Sequence, residues 1–218
     1  MTSSAKPLLY SYFRSSCSWR VRIALALKGI DYETAAVNLL KAEQRDLTYG
    51  MLNPANLVPA LVVDGDSVLL SESVPIMEYL EETHPIPKLL PDGPIDRAKV
   101  RGLMSHIACN IQPVQNLRVL QYVGDERKAE HGKHFISVGF EGLEAMLTKT
   151  AGKYCYGDAI TLADCCLVPQ VYNARRFNVD MSQFPTINRI DAALSELDAF
   201  KVSHPLAQPD CPQELKNA

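Results

Sequence analysis

The sequence predicts an α/β domain built on a small mixed sheet, followed by an all-helical domain. Three observations point there. Short apolar runs of strand character alternate with helical periods over the first eighty residues. From Asp96 on, every periodic stretch is helical. Between them, His84 to Pro94 carries prolines at 85, 87, 91 and 94 and reads as an extended, ordered linker, because Leu89 and Leu90 need somewhere to pack. This gives a first domain over 1–84, a linker over 85–95 and a helical domain over 96–218.

The first domain is read in order. Leu8 to Phe13 is a buried strand, apolar and aromatic with weak alternation. Arg20 to Gly29 is a helix: Ile23, Ala24, Leu27 and Ile30 share a face, and Gly29 is a natural stop. Tyr32 to Leu39 returns to strand, and Ala42 to Tyr49 is weakly helical. Val58 to Val63 is a strand with Pro59 at its mouth, where the missing donor costs least and a cis peptide fits. Asp64-Gly65-Asp66 signals a hairpin turn into a partner strand over Ser67 to Leu70. A helix capped by Ser71 or Ser73, with Pro75 in its first turn, runs to about Thr83. The order β-α-β, connector, β-β-α is the thioredoxin-like arrangement, in which both helix starts open toward one edge of the sheet.

In the second domain a long helix runs from Arg97 to about Gly124, kinked at Pro113 next to Gln112, Gln115 and Asn116. Either the kink turns those amides to a cleft, or they are solvated helix surface. Lys133 to Thr150 is the next helix. Thr161 and Asp164 have capping-box spacing at the start of the helix that follows, which reaches Phe177. Asp164 is therefore read as a structural carboxylate. Pro185 opens a further helix to Leu197, and the polar, proline-rich tail from Pro205 lies along the surface.

Composition narrows the function. The 218 residues are 47% apolar with a formal net charge of −3, so no basic nucleic-acid surface is expected. No apolar run approaches the roughly 18 residues of a membrane span. The first seven residues lack the apolar core of a secretion signal, which points to the cytosol. The six cysteines form no C-x-x-C pair and accompany no histidine cluster, so neither a zinc site nor a disulfide framework is expected. Cys165 and Cys166 sit in an apolar run and read as small core residues.

The chemistry is expected at Ser15-Ser16-Cys17-Ser18-Trp19-Arg20, where strand hands over to helix. A helix N-terminus offers unpaired N–H groups and a positive dipole end to an anion. A thiolate is such an anion. The stretch either activates Cys17 or uses serine hydroxyls to hold the thiolate of a bound small molecule.

The run Ser15-Ser16-Cys17-Ser18-Trp19-Arg20-Val21-Arg22-Ile23-Ala24-Leu25, taken with Val58-Pro59 and Glu72-Ser73, resembles the zeta class of glutathione transferases, over nearly the whole chain. The resemblance implies the glutathione transferase fold, a homodimer, glutathione as cofactor and a small dicarboxylate substrate. It implies glutathione-dependent cis–trans isomerisation of maleylacetoacetate to fumarylacetoacetate in tyrosine and phenylalanine breakdown, with side activity on small α-halo acids. It assigns the sulfur-binding hydroxyl to Ser15, with Ser16 the neighbouring candidate and Cys17 lining the site. Ser18, Trp19, Arg20 and Gln44 belong to the implied cofactor site. Val58 lends its backbone to the cysteinyl part, and Glu72 and Ser73 hold the γ-glutamyl end. Gln112, Asn116, Leu117 and Arg118 form a helical wall, and Arg176, next to Arg175, reads a substrate carboxylate. Three other readings stand beside this one: a general detoxifying transferase, a non-enzymatic binding module, and a thiol oxidoreductase led by Cys17.

Overall fold

The computed structural model describes residues 6–63 and 68–216. They divide into two compact units, one running up to Pro87 and resuming at Asp198, the other Lys88–Leu197.

The first unit holds the sheet. Strands β1 (Leu8–Ser11), β2 (Glu33–Ala36), β3 (Ala60–Val63) and β4 (Val68–Ser71) lie in the order β2-β1-β3-β4. β1 pairs parallel to β2, with Leu8 opposite Glu33, and antiparallel to β3, with Leu9 opposite Leu61. β3 and β4 are antiparallel. This is the thioredoxin-like order read from the sequence. The turn expected at Asp64-Gly65-Asp66 lies outside the described residues.

Helix α1 (Ser16–Leu27) starts four residues before the expected Arg20, because Ser15 caps it. It is buried on nearly every face, from Ser18 through Leu25, as a helix inside a core must be. It also carries Arg20 and Arg22 inward, each only 1% exposed. Gly29, at φ +64°, ends the helix as expected. Just before it, the wholly buried Lys28 ammonium uses all three donors, on Glu81 and on the carbonyls of His84 (2.7 Å) and Pro87 (2.8 Å).

Two short 3-10 turns, Leu39–Lys41 and Glu43–Arg45, and helix α2 (Leu47–Leu52) fill the connector. Helix α3 (Ser73–Thr83) packs on α1. Neither expected serine caps it. Glu72 holds the N-cap position without a side-chain cap bond, because the Ser73 hydroxyl is taken by Arg20.

The second unit is helical. α4 (Pro94–Ser105), α6 (Lys128–Thr150) and α8 (Pro185–Ser195) pack on α7 (Leu162–Arg176), where only Tyr172, Arg175 and Arg176 escape burial, and α5 (Leu117–Val123) packs on α6. The single kinked helix expected over Arg97–Gly124 is instead broken between α4 and α5. Pro113 has no N–H and its ring crowds the preceding turn. The backbone widens to a π-type turn over His106–Ile111, where the Gln112 N–H reaches back to the Ile107 carbonyl at 2.9 Å. A 3-10 turn over Pro113–Gln115 follows, and Asn116 caps α5 through the Arg118 N–H. Gly139 of α6 lies so close to Ile111 that an added Cβ would sit 2.4 Å from it.

The capping box reads true. Thr161 caps α7, and the fully buried Asp164 accepts from the Thr161 N–H (2.7 Å), the Thr161 hydroxyl (2.9 Å) and the Cys155 N–H (2.9 Å). Burial pushes its carboxyl above the ordinary range in spite of those bonds. Cys165 and Cys166 are core residues.

From Asp198 the chain returns to the first unit, whereas the sequence reading kept it with the helical domain. Helix α9 (Asp198–Ser203) packs on α1. The Trp19 indole donates to the Ser203 hydroxyl at 3.1 Å and meets His204 edge-on. A 3-10 turn (Pro205–Ala207) and helix α10 (Gln213–Lys216) complete the tail. Far from lying loosely on the surface, it buries Ser203, Pro205, Gln208 and Cys211.

Candidate active site

The first turn of α1 gathers Ser15, Ser16, Cys17 and Ser18. The Ser15 N–H donates to the Tyr12 carbonyl (2.9 Å), and its hydroxyl oxygen accepts the Ser18 N–H (3.2 Å). Capping uses only the acceptor side of that hydroxyl. Its proton remains to be donated to an anion at the helix start. No acidic side chain stands in this first turn, so the helix's positive end is not spent on a residue of its own. Ser15 and Cys17 are half-buried, Ser16 and Ser18 buried. The Ser18 hydroxyl has no partner among the described residues.

Arg20 links this turn to the second helix start. Its Nη1 donates to the Ser73 hydroxyl at 3.2 Å, while Nε and Nη2 are buried without partners. A guanidinium only donates, so Ser73 accepts from Arg20 and must direct its own proton elsewhere. Next to it, Glu72 is exposed, with φ +68° and ψ +126°. That lies outside the left-handed well, a strained backbone of the kind found at ligand clamps. The first turn of α3 also lacks an acidic residue.

The Val58–Pro59 peptide is cis, as the sequence suggested. The loop before it is held at the Leu57 carbonyl by the Tyr49 hydroxyl (2.6 Å) and the Asn53 amide (2.9 Å). Gln44 lies in the second 3-10 turn with its Oε1 buried and unpartnered. Trp19, grouped with the cofactor residues by resemblance, spends its indole on Ser203 and His204.

Among the described residues, four of the five buried side-chain polar atoms without partners belong to Ser18, Arg20 and Gln44. Buried polar atoms are normally paired. A zwitterionic peptide with a thiol supplies what this set lacks: carboxylates for the arginine and hydroxyls, an N–H for an amide oxygen, and a thiolate for the helix start.

In the helical unit, Gln112 and Gln115 are buried, so they are not solvated helix surface. The Gln115 amide faces Gln170 at 3.5 Å. Asn116 is half-buried and caps α5, Leu117 follows half-buried, and Arg118 is exposed. The two arginines at the end of α7 differ. Arg175 is held by the buried Asp191 at 2.6 Å, whereas Arg176, exposed, bonds Asn173 at the 3.5 Å limit.

Sequence reasoning missed Arg22. Its Nη1 donates to the Ser11 hydroxyl (3.1 Å) and the Tyr12 carbonyl (3.4 Å), Nη2 to the Phe13 carbonyl (2.9 Å), and Nε to the Ser203 carbonyl (3.1 Å). Burial lowers its pKa to about 10, still a cation at neutral pH. An arginine inside an apolar helical run was the available signal.

The chain matches the model of the glutathione S-transferase N-terminal domain over residues 14–83. It is 55% identical to the maleylacetoacetate isomerase of Rattus norvegicus over 215 residues, covering 98% of this chain and 99% of that one. Among solved structures, the maleylacetoacetate isomerase of Anaeromyxobacter dehalogenans with glutathione in its active site superposes with a TM-score of 0.88, at 46% identity, over 95% of this chain and 98% of that one. The same enzyme has been solved with dicarboxyethyl glutathione and citrate in the active site (TM-score 0.87, 45% identity, 95% and 98% covered). A bacterial zeta-class maleylpyruvate isomerase gives 0.90 at 45% identity, over 94% of this chain and all of that one.

Proposed function

The chain belongs to the zeta class of glutathione transferases, the maleylacetoacetate isomerase family, and from that we propose that it isomerises the cis double bond of maleylacetoacetate to trans, with glutathione as cofactor. The observation that carries the reading is Ser15, which caps α1 with its oxygen and keeps its proton for a thiolate. Bound glutathione supplies that thiolate, a nucleophile that adds to the alkene beside the ketone, permits rotation and leaves unchanged.

The protein's residues do the rest. Ser15 donates to the sulfur, and the α1 N-terminus favours its charge, which lowers the thiol's pKa. Ser16 and Cys17 line the same turn, with Cys17 a neighbour and not the nucleophile. Val58 reads the cysteinyl peptide through its backbone. Ser73, with Arg20 behind it, takes the γ-glutamyl carboxylate, and Glu72 the ammonium. By the resemblance, Gln44, Gln112, Asn116, Leu117 and Arg118 are also assigned to the cofactor. Arg176 is assigned to a substrate carboxylate by the resemblance, while its neighbour Arg175 is engaged by Asp191. The first domain is thus the glutathione-binding one and the helical domain the substrate-binding one. We place the enzyme in the cytoplasm as a homodimer, acting in tyrosine and phenylalanine breakdown, with side activity on small α-halo acids; the relatives' names support the pathway, and the resemblance the dimer and the side activity.

Maleylacetone, a substrate analogue, tests the reaction class. With glutathione far below the substrate concentration, an isomerase turns over all of the substrate and returns the glutathione. Stoichiometric consumption of glutathione overturns the reading in favour of a detoxifying transferase. No turnover with glutathione bound leaves only a binding module.

A further inference from the structure

The tail carries an acidic group to the segment that precedes the reactive turn. The Asp210 carboxylate accepts the Phe13 N–H at 2.7 Å. On the other side of the same residue, Arg22 holds the Phe13 carbonyl at 2.9 Å. The carbonyl before it, on Tyr12, accepts both Arg22 and the Ser15 N–H. Arg22 is itself tied to the tail through the Ser203 carbonyl. One residue beyond Asp210, Cys211 is buried in a cluster with Tyr12, Phe13, Val37, Tyr49 and Val58. The tail therefore braces both loops assigned to glutathione, the one before Ser15 and the one carrying Val58.

We propose that Asp210 is a positioning residue for thiolate activation: its carboxylate, on the Phe13 N–H, sets where the Ser15 hydroxyl points. A backbone N–H bonded to an ionised acceptor is among the stronger ties a loop can have. Asp210 and Arg22 are of opposite charge and each takes one polar group of Phe13, so the peptide units on either side of that residue are held from both ends. Ser15 follows two residues later with its own N–H on the Tyr12 carbonyl, which Arg22 also bonds. The chain reaches this arrangement only by returning about 190 residues after Arg22. Sequence proximity plays no part in it.

The inference rests on the role given to Ser15 above, and the test separates the two. Full-length wild type, Asp210→Ala and Asp210→Asn are compared by the ultraviolet absorbance of bound thiolate against pH, with kcat measured at saturating glutathione. Trp19, the chain's only tryptophan, reports tail docking by fluorescence. An asparagine oxygen can still accept the Phe13 N–H, without the charge. The expected order of bound-thiol pKa is wild type lowest, Asn intermediate and Ala highest. Asp210→Ala should lose about tenfold in kcat, within the cost of a misplacement of up to about 1 Å. Equal thiol pKa and kcat in all three proteins overturn the inference, even if Asp210→Ala is less stable. Should Asp210→Ala fail to fold, a thiol pKa in Asp210→Asn equal to wild type does the same. A wild type that binds glutathione without lowering its thiol pKa overturns the role of Ser15 itself, and the inference with it.

Discussion

Replacing Arg20 with methionine should move stability and cofactor affinity in opposite directions. In the protein without glutathione, the guanidinium is 1% exposed, with one bond to Ser73 and two unpartnered nitrogens. Each orphaned donor costs about 1–3 kcal/mol, and the single bond returns about 1 kcal/mol. Methionine is unbranched and fills a similar path with no polar atoms. The loss of the Ser73 bond leaves one buried hydroxyl to be satisfied. The ligand-free variant is therefore expected to be as stable as wild type, or more stable by about 1–2 kcal/mol, after that hydroxyl is counted. Glutathione binding should suffer instead. A hydrogen bond to an ionised group contributes about 1.5–3 kcal/mol, so affinity should fall roughly 10- to 100-fold. Calorimetric titration with glutathione and thermal unfolding with and without it measure both quantities. Wild type should gain far more in melting temperature from saturating glutathione than the variant does. A variant that binds glutathione like wild type but is much less stable would refute the reasoning, and Arg20 would be a structural cation only.

Three further outcomes follow from the same structure. Asp164→Ala leaves three buried donors unpaired and should cost roughly 3–5 kcal/mol in urea unfolding, while turnover per folded molecule is unchanged. Arg175→Ala should lower stability by stranding the buried Asp191 carboxylate, whereas Arg176→Ala should raise KM for the substrate. Burial, and next the charge of Arg22, hold the His204 pKa below 6.5. Below that value the unfolded chain binds the proton more readily than the folded one. Stability should therefore fall as pH drops through 6.5 toward the folded value, detected by Trp19 fluorescence in urea at a series of pH values. His204→Gln should flatten that dependence.

Much of the first unit was legible because its signals are local. Weak alternation marked β1, Pro59 marked the mouth of β3 and Gly29 marked a helix end; in the second unit, Thr161 with Asp164 marked a helix start in the same local way. Ser15 was readable as part of the handover from strand to helix; the structure makes it the cap of α1, with its hydroxyl oxygen on the Ser18 N–H. The broken helix was not legible, since the apolar spacing from Leu103 to Leu120 continues across Pro113 with a helical period. What changes there is the backbone bonding, which periodicity does not record. The tail was misread for a different reason. Its polar and proline-rich composition resembles a surface strand of chain, but it is fixed by single pairings, Ser203 with Trp19 and Arg22, and Asp210 with Phe13. Pairings between residues nearly 200 positions apart leave no pattern along the sequence. The N-cap of α3 went to Glu72 and not to a serine for a related reason, because Ser73 answers to Arg20 across the two helices.

The most direct test of the account is the glutathione-dependent isomerisation of maleylacetone by Ser15→Ala and Cys17→Ala, side by side with wild type. The account predicts that Ser15→Ala loses about 10²-fold or more in kcat, the usual cost of removing a group that stabilises developing or resident charge, while Cys17→Ala keeps most of its activity. The reverse pattern, with Cys17→Ala inactive and Ser15→Ala near wild type, would contradict it and make Cys17 the reacting thiol.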